Sequence, residues 1–432
     1  MGVIEDSRRV TEYGPICNHC LGRFFGKRSF GITNEKRGEG LRTALALEDD
    51  TPYSPEKEEC WICGNLFDDV EAWADKIVDA LEGIEYHTLL VGCRVPPMIA
   101  ESEEMVWSDL GLKSPEPLKA QFNREVGKVV TARTGAEVDF KRPDIVAVCN
   151  IEDDCVEIEI NPIFIYGRYC KYLRGIPQTR WHCRECRGKG CPRCNFTGKM
   201  YETSVEELIG ARVIEEFHAE DAILHGAGRE DIDARMLGTG RPFVLEVIHP
   251  LKQDIPLEYL EEEVNRHADG KVAVIFDHLS NRREVETIKS GKAHKKYSIL
   301  VEVDGEFSVN DIKSSLNTLK GAQISQRTPE RVSHRRADKI RKRHVIDVEL
   351  MDVVDGKYVI EVVGDAGLYI KELISGDNKR TTPSLTECLG APARVTALDV
   401  INVEGVVPEK KTEQMEDKEN GTSQRPEKED QV

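Results

Sequence analysis

The apolar residues of the chain recur in two patterns, one typical of helices and one typical of strands. Apolar residues that recur every three to four positions predict helices at 34–47, 70–81 and 117–135. Apolar–polar alternation and short apolar runs predict strands in the first half of the chain at 86–92, 145–150, 155–160 and 163–170. In the second half they predict strands at 243–248, 271–277, 296–303, 345–351 and 357–364. This mixture of helices and strands indicates an α+β fold.

Changes in the pattern divide the chain into five segments. We expect an N-terminal module at 1–70, an α/β domain at 71–180, a cysteine-rich knuckle or linker at 181–200, one large domain at 201–408 and a tail at 409–432. The tail contains no aromatic residue, and its large apolar residues are Met415 and Val432. Because it lacks the apolar surface that would offset the entropy of ordering, we predict that it is disordered.

The length of 432 residues and the apolar content of 39% are sufficient for several domains that each bury a core. No stretch approaches the roughly eighteen uncharged apolar residues of a membrane helix. The first ten residues, MGVIEDSRRV, lack the charged and then apolar layout of a secretory signal. We therefore expect a cytoplasmic protein that does not enter a membrane.

Eight of the thirteen cysteines form four C-x-x-C pairs. In a cytoplasmic chain this spacing favours metal binding over disulfides. The first quartet consists of Cys17, Cys20, Cys60 and Cys63. Each pair places two sulfur ligands close together, so the two pairs can complete the tetrahedral shell of a structural zinc ion. The alternative is two unrelated buried pairs.

The second quartet is more compact and consists of Cys183, Cys186, Cys191 and Cys194. Glycines between its two pairs allow the tight turns that four ligands so close in sequence require. The spacing resembles one half of a zinc-binding domain of the DnaJ type. An iron–sulfur cluster and a redox pair also fit four close sulfurs, but nothing nearby supplies either chemistry, so a second structural zinc ion is favoured. The isolated cysteines are expected to be small buried residues: Cys93, Cys149, Cys155, Cys170 and Cys388.

The formal net charge of −18 argues against a nucleic-acid partner, because binding phosphate groups requires a positive potential. The positive charge is, however, locally concentrated. The segment 327–344 contains eight basic residues and two acidic ones. This segment predicts a phosphate-binding patch. The alternative, a solvated helix face, is disfavoured because the rest of the chain is so acidic.

A glycine-rich polar segment at 225–246 carries the candidate catalytic chemistry. Its sequence, HGAGREDIDARMLGTGRPFVLE, places carboxylates and arginines between glycines and ahead of a strand. Glycines permit the unusual turns of a loop that surrounds a ligand. The residues alone do not distinguish such a loop from a solvated turn with incidental ion pairs.

Several motifs in this half resemble those of RNA-modifying enzymes. The sequence GRED at 228–231 resembles the G-R-x-D signature of pseudouridine synthases, and RMLGTGRPF at 235–243 resembles, more narrowly, the Pus-ten family of tRNA pseudouridine synthases of archaea and eukaryotes. Four further segments match that family: KKY at 295–297, QRTPERVSHRR at 326–336, AGLYIKE at 366–372 and GDNKRT at 376–381. The resemblance covers most of 202–399, and the cysteine pairs extend it towards the N-terminus.

The resemblance implies an isomerase that converts uridine to pseudouridine at positions 54 and 55 in the T loop of tRNA, without an organic cofactor. Asp231 occupies the position of the catalytic carboxylate, which acts as a nucleophile or base against the sugar or the ring. Lys371 is expected to pair directly with Asp231. Asp233 lies outside the signature, and in an extended segment it would point to the opposite side.

The family motifs also imply how RNA is held. Tyr297 and Tyr369 are expected to receive a base that has left its stack, and core residues on strands are the alternative for both. Arg229 is expected to hold a neighbouring phosphate or to fill the gap left by the base. The basic residues expected to line the RNA path are Arg327, Arg331, Arg335, Arg336 and Arg380.

The implied fold is a pseudouridine synthase catalytic domain at 201–408 with a mixed, mainly antiparallel central sheet, preceded at 71–180 by an α/β THUMP-like RNA-binding domain. The implied partner is tRNA, and nothing in the sequence implies an obligate protein partner. The alternative from another class is a non-catalytic zinc-containing RNA-binding protein. An RNA methyltransferase is disfavoured, because the chain has no convincing glycine-rich strand-to-helix turn for a methyl donor.

Overall fold

The structure, a computed structural model, describes residues 2–54, 58–113, 115–291 and 293–403, and the side chain of Arg335 is outside the described part. The tail predicted at 409–432 also lies outside the described residues. None of the described helices is both long enough and apolar enough to span a lipid bilayer.

The N-terminal part of the chain combines six α-helices and one short 3-10 helix, Leu66–Asp69, with four strands among the described residues. Its helices are α1 (Val3–Thr11), α2 (Asn18–Arg23), α3 (Asn34–Glu48), α4 (Val70–Ala80), α5 (Pro97–Leu110) and α6 (Leu118–Thr134). Its strands are β1 (Thr88–Arg94), β2 (Glu137–Val138), β3 (Ile145–Asn150) and β4 (Cys155–Ile160). The start of α3 is fixed by Thr33, whose hydroxyl accepts a hydrogen bond from the backbone N–H of Lys36.

The four strands form one sheet in the order β2-β1-β3-β4, in which β1 pairs in parallel with β2 and β3, and β4 is antiparallel to β3. Phe122 and Val126 of α6 are fully buried over this sheet. The same hydrophobic cluster includes Leu21 and Phe24 of the N-terminal module. The segments 1–70 and 71–150 therefore share one core.

The C-terminal part contains ten strands, six α-helices and two short 3-10 helices, Pro192–Cys194 and Glu330–Arg335, among the described residues. Its strands are β5 (Ile163–Lys171), β6 (Asp221–Gly226), β7 (Arg235–Ile248), β8 (Val272–Leu279), β9 (Lys295–Val303), β10 (Gln323–Arg327), β11 (Ile340–Val354), β12 (Lys357–Gly364), β13 (Thr381–Thr382) and β14 (Ala393–Val403). Its helices are α7 (Val205–Phe217), α8 (Leu257–Ala268), α9 (Arg282–Ser290), α10 (Val309–Leu319), α11 (Ile370–Ser375) and α12 (Leu385–Leu389).

These ten described strands form one sheet in the order β13-β10-β11-β12-β9-β14-β7-β5-β8, with β6 paired to β7. Strands β14 and β7 run parallel, and the other neighbours pair in antiparallel fashion. The predicted mixed, mainly antiparallel sheet is therefore confirmed. Successive side chains of β7 point to opposite faces of the sheet. Leu245 belongs to the main core under α7, α8 and α10, whereas Val244 packs on the other face with Val285 of α9.

Two expectations from the sequence need correction. The strand predicted at 163–170 was placed in the domain 71–180, but β5 lies in the large sheet between β7 and β8. Alternation identifies a strand without identifying its partner, which explains the misplacement. Cys93 and Cys149 are buried as predicted, whereas Cys155 is exposed at the start of β4.

Candidate active site

The predicted glycine-rich loop connects β6 to β7 and lines a cavity of about 870 Å³. Gly228 has a φ of +77°, and a Cβ atom there would lie 2.9 Å from the ammonium nitrogen of Lys295. The loop closes with a turn in which the N–H of Ala234 donates to the carbonyl of Asp231 at 3.0 Å. Glycine at 228 thus allows both the left-handed backbone and the close approach of a lysine.

Asp231 lies in this cavity with about one third of its side chain exposed. Its nearest cation is Arg331, whose Nη1 lies 3.1 Å from Oδ2 and 3.2 Å from Oδ1. Lys371 is farther away, with Nζ 3.5 Å from Oδ2. The structure brings the two predicted partners together, but it adds Arg331 as the closer partner of the carboxylate.

The hydrogen bonds of Lys371 are directed to Asp233, at 2.9 Å and 2.7 Å. The expectation that Asp233 points away from Asp231 was wrong, because residues 232 and 233 form a turn rather than an extended strand. In the turn both carboxylates face the same lysine. Burial raises the pKa of Asp233, but its hydrogen bond and attraction to Lys371 outweigh that effect and lower the pKa below its usual value.

Arg331 is held from its other side by Glu372. Its Nε donates to Oε1 of Glu372 at 2.7 Å, and the glutamate side chain is almost completely buried. Burial lowers the pKa of Arg331, but the two carboxylates, Glu372 and Asp231, outweigh burial and raise it. Arg331 follows β10 whereas Asp231 precedes β7, so only the folded sheet brings this pair together.

A buried polar layer supports the loop from below. The guanidinium of Arg241 lies 2.9 Å from the carboxylate of Glu230, and both side chains are almost fully excluded from solvent. The hydroxyl of Tyr169 donates to Glu230 at 2.9 Å and accepts from Gln178 at 2.8 Å. Gln178 also donates to the carbonyl of Gly228 at 3.0 Å. This network fixes the backbone on both sides of the loop that carries Asp231.

Lys171 is a further support that the sequence did not indicate. It is fully buried at the end of β5, and its ammonium donates to the carbonyls of Ile176, Asp231 and Ile232 at 2.9, 3.4 and 3.2 Å. Burial is the main reason that the pKa of Lys171 is lowered. A lysine that neutralises carbonyl dipoles holds the turn around Asp231 in place.

The two predicted tyrosines both line the cavity. Tyr297 on β9 is 8% exposed, and burial raises its pKa to about 12, so its ring stays uncharged at neutral pH. Tyr369 is half-buried, and its backbone N–H and C=O both bond to the side chain of Gln326, at 2.9 Å each. Its hydroxyl accepts a hydrogen bond from Arg336 at 2.9 Å. Two aromatic rings are thus available to a planar ligand.

Lys295 precedes Tyr297 by two positions on the same strand and lines the cavity, although we did not select it from the sequence. Burial is the main reason that its pKa is lowered to about 8, the nearby Arg241 adds to the shift, and Glu230 opposes it. The motif KKY contains this lysine, but a strand lysine carries no local signal of burial. Its ammonium is a cation available to a ligand in the cavity.

The predicted basic residues divide into two groups. Arg229, Arg331 and Arg336 line the cavity. Arg327 instead pairs with Asp338, its Nε lying 2.8 Å from Oδ2, and Arg380 donates to the carbonyl of Thr328 at 2.7 Å. The side chain of Arg335 lies outside the described part. Three further arginines that we did not select also line the cavity: Arg241, Arg341 and Arg343.

Both cysteine quartets are assembled, and within each the four sulfur atoms lie within 4.8 Å of one another. The sulfurs of Cys17 and Cys63 are 3.7 Å apart, and those of Cys186 and Cys194 are 3.8 Å apart. Four thiolates at the usual zinc–sulfur distance form a tetrahedron with edges of about 3.8 Å. The residues therefore fit a tetrahedral metal ion at each quartet.

Backbone donors support the second quartet. The N–H groups of Gly190 and Gly198 lie 3.2 Å from the sulfurs of Cys186 and Cys194 respectively. Such hydrogen bonds stabilise thiolates that bind a metal. In the first quartet, the fully buried Arg23 donates to the sulfur of Cys20 at 3.6 Å and pairs with Glu103 of α5. Arg23 thus links this quartet to the neighbouring helices.

Two family models match the chain. The archaeal THUMP domain of Pus10 matches residues 73–150, and the C-terminal region of Pus10 matches residues 164–404. The tRNA pseudouridine synthase Pus10 of Methanothrix thermoacetophila is 43% identical over 430 residues, covering 94% of this chain and 95% of the relative. The tRNA pseudouridine synthase Pus10 of Archaeoglobus fulgidus is 46% identical over 347 residues, covering 80% of this chain and 95% of the relative. A crystal structure of a Cbf5-Nop10-Gar1 complex has a TM-score of 0.32, 15% identity and coverage of 55% of this chain and 48% of that one.

The sequence matches confirm the predicted class, a pseudouridine synthase with a THUMP domain. The chain belongs to the Pus10 family, which is the Pus-ten family indicated by the motifs. The THUMP match precedes the C-terminal match along the chain. The roles of individual residues remain predictions.

Proposed function

We propose that this enzyme converts uridine to pseudouridine at positions 54 and 55 in the T loop of tRNA, and that Asp231 is the catalytic carboxylate. The observation that carries the proposal is the position of Asp231, beside two cations in a cavity that Tyr297 and Tyr369 also line. The names of the relatives support tRNA as the substrate.

The reaction breaks the bond between C1′ and N1 of uridine, turns the base and joins C1′ to C5. A proton leaves C5 and another joins N1, so the product is an isomer of the substrate. In one route an oxygen of Asp231 bonds to C1′ as the electron pair of the broken bond stays on the base, and in the other it attacks the ring. Both routes require the same carboxylate within reach of the flipped nucleotide.

The neighbouring residues have distinct roles in this proposal. Arg331 and Lys371 orient the carboxylate by charge-assisted hydrogen bonds and attraction. Tyr297 and Tyr369 provide faces on which the flipped base stacks. Arg229, exposed at the tip of the loop, contacts a neighbouring phosphate or fills the space that the base leaves.

The proposed arrangement of the whole protein follows from the fold. The N-terminal unit, with its THUMP domain, binds the acceptor end of the tRNA, and Arg327, Arg335, Arg336 and Arg380 lie along the RNA path together with Arg331. Each cysteine quartet holds one structural zinc ion, which fixes the local fold and takes no part in the chemical step. We place this activity in the cytoplasm.

The test is to map pseudouridine in an unmodified tRNA transcript incubated with the wild-type protein, Asp231→Asn or Asp233→Asn. Asp231→Asn keeps the shape of the side chain but removes the nucleophile, so it should bind the transcript and form no product. Asp233→Asn is the matched control, two positions away on the same turn, and should retain product formation. Transcripts in which one T-loop uridine is replaced by cytidine test each position separately.

Three outcomes contradict the proposal. Product formed by Asp231→Asn removes the catalytic role of that residue. Pseudouridine elsewhere than in the T loop refutes the assigned positions. A folded wild-type protein that binds tRNA and forms no pseudouridine would support a non-catalytic RNA-binding protein instead.

A further inference from the structure

The second cysteine quartet carries an exposed basic and aromatic surface that the catalytic proposal does not use. We define the knuckle surface as Arg184, Arg187, Lys189, Arg193 and Phe196, all of which are exposed. The ring of Phe196 is 74% exposed, although a large apolar side chain loses stability by remaining in water. Exposed aromatic residues beside cations are the composition of surfaces that bind single-stranded nucleic acid.

The exposure of Phe196 is imposed by the backbone. Asn195 and Phe196 have consecutive left-handed φ values of +51° and +60°. A bulky residue in this region is an outlier that persists where the surrounding structure enforces it. Here the N–H of Phe196 donates to the carbonyl of Cys191 at 2.9 Å, and the quartet closes around this turn. The phenyl ring is therefore held outward by the cysteine cluster itself.

The charge of the knuckle surface is opposite to that of the whole chain. Segment 183–199 contains five basic residues and one acidic residue, in a chain with a net charge of −18. A zinc ion held by four thiolates would contribute a charge of about −2, which leaves the segment positive. Within the described residues, Arg184, Arg187 and Lys189 form no ion pair, and Arg193 approaches Glu185 at 3.6 Å with both side chains exposed. These cations are available to an anionic partner.

The knuckle surface begins at the rim of the catalytic cavity. Trp181, which lines that cavity, precedes the first cysteine of the quartet by two residues. Backbone hydrogen bonds join the two ends of the segment that contains the quartet. The N–H of Met200 donates to the carbonyl of Trp181 at 2.8 Å, and the N–H of Cys183 donates to the carbonyl of Gly198 at 2.7 Å. Arg184 follows Trp181 by three residues, which span at most about 11 Å of chain, so an RNA chain with one nucleotide in the cavity has neighbouring nucleotides within reach of this end of the knuckle surface.

We propose that the knuckle surface is a second RNA-binding site, in which Arg184, Arg187 and Lys189 contact phosphates and Phe196 stacks on an unpaired base beside the target nucleotide. The inference rests on the proposed function to the extent that RNA enters the cavity. It assigns to the second quartet the role of presenting an RNA-binding surface in addition to holding the local fold.

The test uses the full-length protein and a fluorescently labelled, unmodified tRNA transcript. The dissociation constant is measured between about 50 and 200 mM KCl for the triple variant R184A/R187A/K189A and for Phe196→Ala. The matched controls are K313A/K320A/R394A, which removes the same charge from positions outside the knuckle and the cavity, and Met351→Ala, an exposed apolar residue on β11. Zinc content is measured for every variant.

The triple variant should bind more weakly and lower the slope of log Kd against log salt by about 2 to 3, because each lost phosphate contact removes about 0.7–0.9. Phe196→Ala should weaken binding roughly five- to a hundredfold at unchanged slope, and Phe196→Trp should restore binding, because base stacking is retained. Both controls should bind like the wild-type protein.

Binding constants and slopes equal to those of the controls would overturn the proposal. It is also overturned if the substitutions change the oligomeric state in sedimentation and leave tRNA affinity unchanged, since the surface would then bind a second copy of the chain. Pseudouridine formation by the same wild-type preparation is measured separately. If that preparation forms no product but binds tRNA through the knuckle surface, the proposed function fails and the RNA-binding site stands.

Discussion

The buried ion pair between Glu230 and Arg241 lies beneath the loop that carries Asp231, and removing one partner should cost far more stability than removing a partner of an exposed pair. We expect Glu230→Gln to destabilise the C-terminal domain by about 3–5 kcal/mol, since it leaves the buried guanidinium without its carboxylate. The amide also weakens the hydrogen bond that Tyr169 donates. For a domain of this size each kcal/mol lowers Tm by about 2–4 °C, so the shift should be about 6–20 °C.

Differential scanning calorimetry of the wild-type protein, Glu230→Gln and Asp233→Asn provides the comparison. Asp233→Asn also removes a carboxylate that pairs with a cation, but its side chain is 67% exposed, so it should cost at most about 1 kcal/mol. The double variant E230Q/R241M removes the isolated buried charge and should recover part of the lost Tm. Equal Tm values for Glu230→Gln and Asp233→Asn would refute the reasoning, because burial would then not determine the cost.

Three further predictions concern the site and the metal centres. The affinity for tRNA should fall as pH rises through about 8, because Lys295 then loses its charge, and Lys295→Arg should remove this dependence in binding titrations from neutral to alkaline pH. Arg331→Gln should slow single-turnover product formation at saturating enzyme by roughly ten- to a hundredfold, because a charged hydrogen bond to Asp231 is lost in addition to any contact with RNA; an unchanged rate would exclude a positioning role. Mass spectrometry of the metal content should find two zinc ions per chain, and Cys60→Ser or Cys191→Ser should each leave one; a wild-type protein without zinc would contradict the assignment.

The sequence predicted the limits of helices and strands well where one face of the element is buried and the other is exposed to solvent. The strands at 145–150 and 357–364 occur with the predicted limits, and the helix at 34–47 extends by one residue. In contrast, β7 begins at Arg235, although the sequence predicted a strand only from 243. Its first half contains glycines and a proline, which locally favour a loop, and it becomes a strand because β5 and β14 pair with it.

The candidate site was predictable in part for a different reason. The motifs singled out Asp231 and Lys371. In the structure both residues line the same cavity, with Nζ of Lys371 3.5 Å from Oδ2 of Asp231. Arg331 was selected as an RNA-binding residue, and its place beside Asp231 depends on the pairing of distant strands. Glu230 and Arg241 were expected in a polar loop, and no local pattern distinguishes a solvated charge from one that the fold buries.

The acidic composition of the chain and its RNA substrate are compatible because the charge is distributed unevenly. The described residues that line the cavity around Asp231 include nine basic and three acidic ones, in a chain with a net charge of −18. Charges are screened over about 8 Å at physiological ionic strength, so distant carboxylates do not cancel the positive potential at the cavity. Those carboxylates instead repel phosphates from the remaining surface. The acidic charge of the remaining surface therefore weakens non-specific binding, and the basic charge of the cavity and of the knuckle surface at its rim directs RNA to these two places.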